Sequence, residues 1–116
     1  MNIRKITRHD ADFYLIMGPV FGSRAVEKAT HDRFYDDPGK VWYVSDGAAG
    51  SVLDGVVRNF YAEDEEHAAE LLQAMQADRN GRSGIVPKAY QSIFAACGFS
   101  VREHSRNFIE VQDEKD

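Results

Sequence analysis

Apolar residues in this chain fall into short clusters, each with a helical or a strand period. The clearest helical cluster begins after Asp64. Ala68, Leu71, Leu72 and Met75 share one side of a helix predicted from Glu65 to about Ala77. Asp64 is placed to cap it, and Glu65 and Glu66 sit at its positive end. Asn80-Gly81 ends it. A second stripe, Tyr90, Ile93, Phe94 and Cys97, follows Pro87, which suits a first helical turn. Gly98 stands where a helix closes in a left-handed residue. The alternating run from Phe99 through Val101 and Glu103 to Phe108, Ile109 and Val111 then predicts a terminal strand.

The rest of the chain is read in the same way. Asn2 to Thr7 is a short strand, and Thr7 with Asp10 is placed to cap a helix from about Arg8. That helix would bury Ala11, Tyr14, Leu15 and Phe13 and stop at Gly18-Pro19. Ser23 caps a second helix, with Val26, Ala29, Thr30 and Arg33 along one side. Asp36-Asp37-Pro38-Gly39 is a turn, and Lys40 to Ser45 is a strand rich in strand formers. A turn runs from Asp46-Gly47 through Gly50. Ser51 to Tyr61 is one strand, or two broken near Asp54-Gly55. Arg82 to Val86 holds a short strand. The order is β-α-α-β-β-α-β-α-β. It implies a single mixed α/β domain over 1–116 with helices on both faces of its sheet and one parallel pair around the helix 65–77. Residues 112–116 are expected to be a disordered tail.

Composition narrows the class. The chain has 116 residues, enough for one core. No apolar run is long enough for a membrane span, so no membrane partner is expected. Nothing near Met1 reads as a signal sequence, and the one cysteine, Cys97, suits a reducing cytoplasm. The net charge of −5 argues against nucleic-acid binding over the whole surface, while leaving room for a local basic patch.

Few residues stand out chemically. His9, His31, His67 and His104 lack metal-ligand spacing and read as surface histidines, and no metal is expected. Cys97 reads as a small buried residue. Asn80-Gly81-Arg82-Ser83-Gly84 has the glycines and base of a phosphate loop but precedes a strand, so it reads as a turn. Gly18 to Arg24 is a rigid aromatic connection.

The C-terminal unit resembles the end of the GNAT N-acetyltransferases: an aromatic, three residues, Gly-Phe, then the last strand. Here that is Phe94 followed by Gly98-Phe99. Ile3 to Thr7 followed by His9-Asp10-Ala11 looks like the family's first strand entering its first helix. A fainter similarity at Phe21-Gly22-Ser23-Arg24 and Trp42-Tyr43-Val44 is to small GNAT-like phage proteins, some associated with DNA modification.

The resemblance implies transfer of an acetyl group from acetyl-coenzyme A to an amine, on a small molecule or a macromolecule. The family's cofactor lies along the fourth strand and the next helix start, in a V-shaped cleft between two strands. The implied cofactor-binding residues are therefore Arg58, Phe60, Tyr61, Ala62, His67 and Lys88, with a backbone N–H near Phe60 to Ala62 polarising the carbonyl. Many members protonate the leaving thiolate with a tyrosine. Phe94 holds the matching position, so Tyr90, one turn earlier, is the implied acid. From the residues alone it reads first as a core aromatic with a solvated tip.

The loop departs from the family. It has no glycine, and Glu63, Asp64, Glu65 and Glu66 stand where two phosphates would dock. Like charges at a few ångströms repel by about 1 to 4 kcal/mol per pair. Weak acetyl-coenzyme A binding is therefore expected. The alternative is a non-catalytic GNAT-fold binding or regulatory protein, and a third class is a small interaction protein on another α/β fold.

Overall fold

A computed structural model of the chain describes residues 3–114. Its order is β1 (Arg4–Ile6), α1 (Phe13–Phe21), α2 (Arg24–Thr30), β2 (Val41–Ser45), β3 (Ala48–Leu53), β4 (Val56–Ala62), α3 (Glu65–Ala77), β5 (Ser83–Pro87), α4 (Gln91–Ala96), β6 (Phe99–Glu103) and β7 (Phe108–Asp113). The strands form one mixed sheet in the order β1-β2-β3-β4-β5-β7-β6. The mixed α/β class expected from the sequence is found. Of the two readings of Ser51 to Tyr61, the one broken near Asp54-Gly55 is found, and the expected order is corrected by a second C-terminal strand and an earlier start of β3.

Each correction has a local cause. Ala48, Ala49 and Gly50 lie in β3, and Asp54 and Gly55 turn the chain back with φ of 52° and 79°. Two successive positive φ values are the tight hairpin geometry that matches strand twist. The run from Phe99 to Val111 is likewise a hairpin, folded where the polar residues His104 to Asn107 interrupt the alternation. Gln112 and Asp113, expected in a tail, pair with Ser100 and Phe99 in that hairpin. Asn2, Lys115 and Asp116 lie outside the described residues.

The helix over 65–77 is found with those bounds. Ser23 caps α2 by accepting the Val26 N–H at 3.1 Å. Gly98, at φ 94°, follows α4. Pro87 ends β5 rather than opening a helix, and a 3-10 turn at Lys88–Tyr90 leads into α4. The first helix differs more. Thr7 and Asp10 close a turn, with the Thr7 N–H donating to Asp10 Oδ2 at 2.8 Å, and α1 begins only at Phe13. It continues through Gly18 and Pro19 and buries Phe13 and Met17, leaving Tyr14 and Leu15 exposed.

Strand alternation sorts the core between the two sheet faces. On one face Tyr43, Val52, Val57, Phe60, Val86 and Ile109 pack under Leu71, Leu72 and Met75 of α3 and Phe94 of α4. On the other, Trp42, Val44 and Ala49 meet Phe13 and Met17 of α1 and Val26 of α2. Among the described residues no helix is long and apolar enough to cross a membrane.

Candidate functional site at the β4–β5 junction

β4 and β5 run parallel with α3 between them in sequence, as expected. Their pairing covers only Val56↔Ser83 and Val57↔Gly84. A Cβ on Gly84 would come within 2.8 Å of the Val57 Cβ and carbonyl oxygen, so this contact requires glycine. The next residue explains why pairing stops. Ser51 faces Asn59 and Val52 faces Val57, so Arg58 is an extra residue on β4, a bulge. A bulge bends its strand and raises its twist. It also resets the alternation, which is why Val57 and Phe60 share the α3 face while Asn59 lies on the other.

On the α3 face, side chains fill the space beyond the bulge. The Phe60 ring lies 5.2 Å from Tyr90 and 4.9 Å from Phe94, both edge-on, and Phe94 meets Phe99 at 5.1 Å. The Glu63 N–H donates to the Gly47 carbonyl at 2.9 Å, toward β3, so the Ala62 amide and carbonyl point the opposite way. The Tyr90 hydroxyl meets both. It accepts the Ala62 N–H at 3.0 Å and donates to the Ala62 carbonyl at 3.1 Å. Burial raises its pKa further above the ordinary tyrosine value and keeps the hydroxyl protonated.

The start of α3 is internally satisfied. Asp64 Oδ1 accepts the His67 N–H at 2.8 Å and lies 2.6 Å from His67 Nδ1, and Glu63 lies 3.5 Å from His67 Nε2. These contacts hold the Asp64 carboxyl below its usual range, through the His67 backbone and ring, and raise the His67 pKa through Asp64. Glu63, Asp64 and His67 bring three possible ligand atoms, two carboxylate oxygens and a ring nitrogen, within 4.8 Å, a grouping that sequence spacing did not suggest. The cap already accounts for Asp64 and the ring orientation.

The opposite face is open. A groove of about 300 Å³ crosses the junction, lined by Asp32, Arg58, Ile85, His104, Ser105 and Phe108, with Val56 and Val57 below. Asp32 is half-buried, and desolvation raises its pKa although Asn59 Nδ2 donates to it at 3.2 Å. Behind it Lys40, 4% exposed, donates from Nζ to the Tyr35 carbonyl at 2.9 Å and to Asn59 Oδ1 at 3.0 Å. Ser51 donates to the same Asn59 oxygen at 2.5 Å. The Lys40 ammonium sits 4.6 Å from the Tyr35 ring centroid, 5.3 Å from that of Trp42 and 3.5 Å from Asp37. Burial lowers its pKa against those partners. Asp36 accepts from Trp42 Nε1 at 2.8 Å and Arg8 Nε at 2.7 Å. The Asp36-Asp37 turn is therefore also the anchor of the 31–40 loop.

The sequence-derived residues are thus divided. Phe60, Ala62 and Tyr90 meet at the junction. Tyr61 packs against the α1 cluster, and Arg58 lines the groove. His67 stays at the α3 cap, and Lys88 pairs with Glu103 at 3.2 Å. Asp32, Lys40, Asn59 and His104 were not singled out as site residues. One usable signal was Asn59, a lone amide in a strand of otherwise apolar and aromatic neighbours beyond Arg58. No family model, no curated protein and no solved structure matches this chain.

Proposed function

We propose that the protein is a ligand-binding module of GNAT-like architecture in which the acyl-donor side of the junction is closed. The observation that carries this reading is the double hydrogen bond of Tyr90 to Ala62. A thioester carbonyl bound along β4 would need a free strand amide as donor. The Ala62 amide already has its acceptor, the hydroxyl of a buried core tyrosine. The α3 start gives a phosphate little help, since Asp64 takes the His67 amide and Glu63, Glu65 and Glu66 surround it. The open groove on the α2 side is the binding site in this reading. Asp32 suits an ammonium, and Arg58 and His104 suit an anionic group, so the ligand class is small and zwitterionic.

Two titrations test it. Calorimetry with acetyl-coenzyme A at moderate salt is expected to give a dissociation constant of about 0.1 mM or weaker. Micromolar binding overturns the closed-donor reading. A panel of small amines and amino acids followed by amide chemical shifts is expected to move Asp32, Arg58 and His104 signals, and Asp32→Asn to remove the effect.

One observation favours a second reading, acetyl transfer to an amine. Beyond Val57↔Gly84, β4 runs on without a ladder partner on the β5 side, which is the divergence an acyl-coenzyme A would occupy. In that reading Tyr90 swings off Ala62 when the cofactor enters and serves as the acid. Micromolar binding together with loss of turnover in Tyr90→Phe would establish it.

A further inference from the structure

The surface around α1 is built differently from the rest. None of the nine residues of α1 carries a charge, yet the helix buries only Phe13 and Met17 fully. Leu15 is 81% exposed and Tyr14 64%. Tyr14 lies edge-on against Phe13 at 4.9 Å. Beside this ridge lies a groove of about 630 Å³ between the helix and the edge of the sheet. Ile16, Pro19, Val20 and Val44 line it, and Arg4 and Asp46 stand at its rim. The Ser45 hydroxyl, also at this groove, is shielded from solvent and has no hydrogen-bond partner. Buried hydroxyls are ordinarily paired.

We infer that this face is the contact between two copies of the chain, related by a two-fold axis beside α1, with Leu15 of each copy seated in the groove of the other. A two-fold contact requires one patch to carry both the projection and its receptacle. Leu15 and the Pro19–Val20 wall are one turn apart on the same helix, so this patch carries both. The rim is self-complementary as well. Arg4 and Asp46 carry opposite signs at the groove, and Arg4, which pairs with Asp12 of its own chain at 3.2 Å, would face Asp46 of the other copy across the two-fold. A standard contact covers about 800 Å² per partner, roughly an eighth of the 6642 Å² surface. A lipid surface fits less well, because Arg4, Asp12 and Asp46 mix signs around the patch and the chain is acidic overall.

Sedimentation equilibrium from about 5 μM to about 500 μM reads this directly, and dimers with a micromolar dissociation constant are expected. Leu15→Arg is expected to weaken the dimer at least about 100-fold, since each contact loses a buried leucine and gains a buried charge. Leu15 is exposed in the single chain, so its melting temperature extrapolated to low concentration should be unchanged. Arg4→Glu is expected to weaken association about two- to fivefold, as rim charges do, and Arg4→Glu combined with Asp46→Lys to restore it. A wild-type protein that stays monomeric throughout, whether or not it adsorbs to phosphatidylglycerol vesicles, overturns the inference. So does a dimer that Leu15→Arg leaves intact.

Discussion

On its α3 side the β4–β5 junction is sealed by three rings and one hydroxyl, and on its α2 side it opens beside a caged lysine. Both sides meet the same difficulty, a strand that leaves its neighbour after two residue pairs. The α3 side meets it with apolar area. Phe60 and Phe94 are fully buried, and the one polar atom offered, the Tyr90 hydroxyl, serves both groups of Ala62. The α2 side meets it with polar groups that satisfy one another: Lys40, Asn59, Ser51 and Asp32. An apolar seal is stable and chemically idle. A polar network holds charge close to a surface, where a ligand can reach it.

The largest expected effect tests the sealed side. Phe94 touches Phe60 and Phe99 and is fully buried. Phe94→Ala should cost about 3 to 5 kcal/mol in denaturant titration, as deep aromatic truncations do. A loss under about 1 kcal/mol would mean that the rings do not close the junction in solution.

The open side should respond to Lys40 almost as strongly. Lys40→Ala removes the donor to the Tyr35 carbonyl and Asn59 and leaves Asp37 without its cation. Stripping one member from a buried charged network costs about 3 kcal/mol. The loop 31–40 should also loosen, seen as faster amide exchange at Asp32 to Tyr35. Lys40→Met, which keeps the stem and drops the charge, separates packing from hydrogen bonding. If Lys40→Met loses almost nothing while Lys40→Ala loses the full amount, the ammonium contributes nothing and the comparison of the two sides fails.

Tyr90→Phe is a finer cut. It keeps the ring against Phe60 and removes only the hydroxyl, leaving the Ala62 amide and carbonyl unpaired. The expected loss is about 1 to 3 kcal/mol. An unchanged stability would show the hydroxyl is dispensable to the seal, which would favour the acyl-transfer reading.

The two sides also differed in how far the sequence disclosed them. The helix over 65–77, its Asp64 cap and the stripe through Phe94 were legible because helical period and capping are local signals. The parallel pair followed from strand, helix, strand. The break at Asp54-Gly55 was one of the two readings of Ser51 to Tyr61 and is found, but the start of β3 was missed because Ala48 to Gly50 has low strand propensity and earns its place only by pairing with β2 and β4, and the C-terminal hairpin was merged into one strand. The bulge at Arg58 leaves no sequence mark, since it is defined by the partner strand. The open side was missed for a related reason. Asp32, Lys40 and Asn59 are far apart in sequence, and each alone is an ordinary polar residue. α1 was misjudged because every residue in it is apolar, so periodicity could not say which side faces the sheet.

The smallest effect lies at the α3 cap, where the sealed side meets solvent. His67 gains Asp64 as a partner only when folded, so its folded pKa is raised. The stabilisation from its charge is complete below about pH 6.5, the ordinary histidine value, and is lost as pH rises through the higher folded one. Asp64 is the converse case, with a depressed folded pKa. Its contribution is present above about pH 4 and is lost as pH falls through the depressed value. The pair therefore stabilises most between these limits. Glu63 and Glu70 add to the raised His67 value from nearby. Both carboxylates of the cluster are largely exposed, so salt should weaken the effect. At low ionic strength the melting temperature is expected to fall between pH 6.5 and 8 in the wild type and to fall less in His67→Ala. Titration by NMR should place the His67 ring above about pH 6.5, and Asp64→Asn should bring it down. Equal pH slopes in wild type and His67→Ala would mean that the ring and Asp64 do not pair in solution, leaving only the backbone cap at the α3 start.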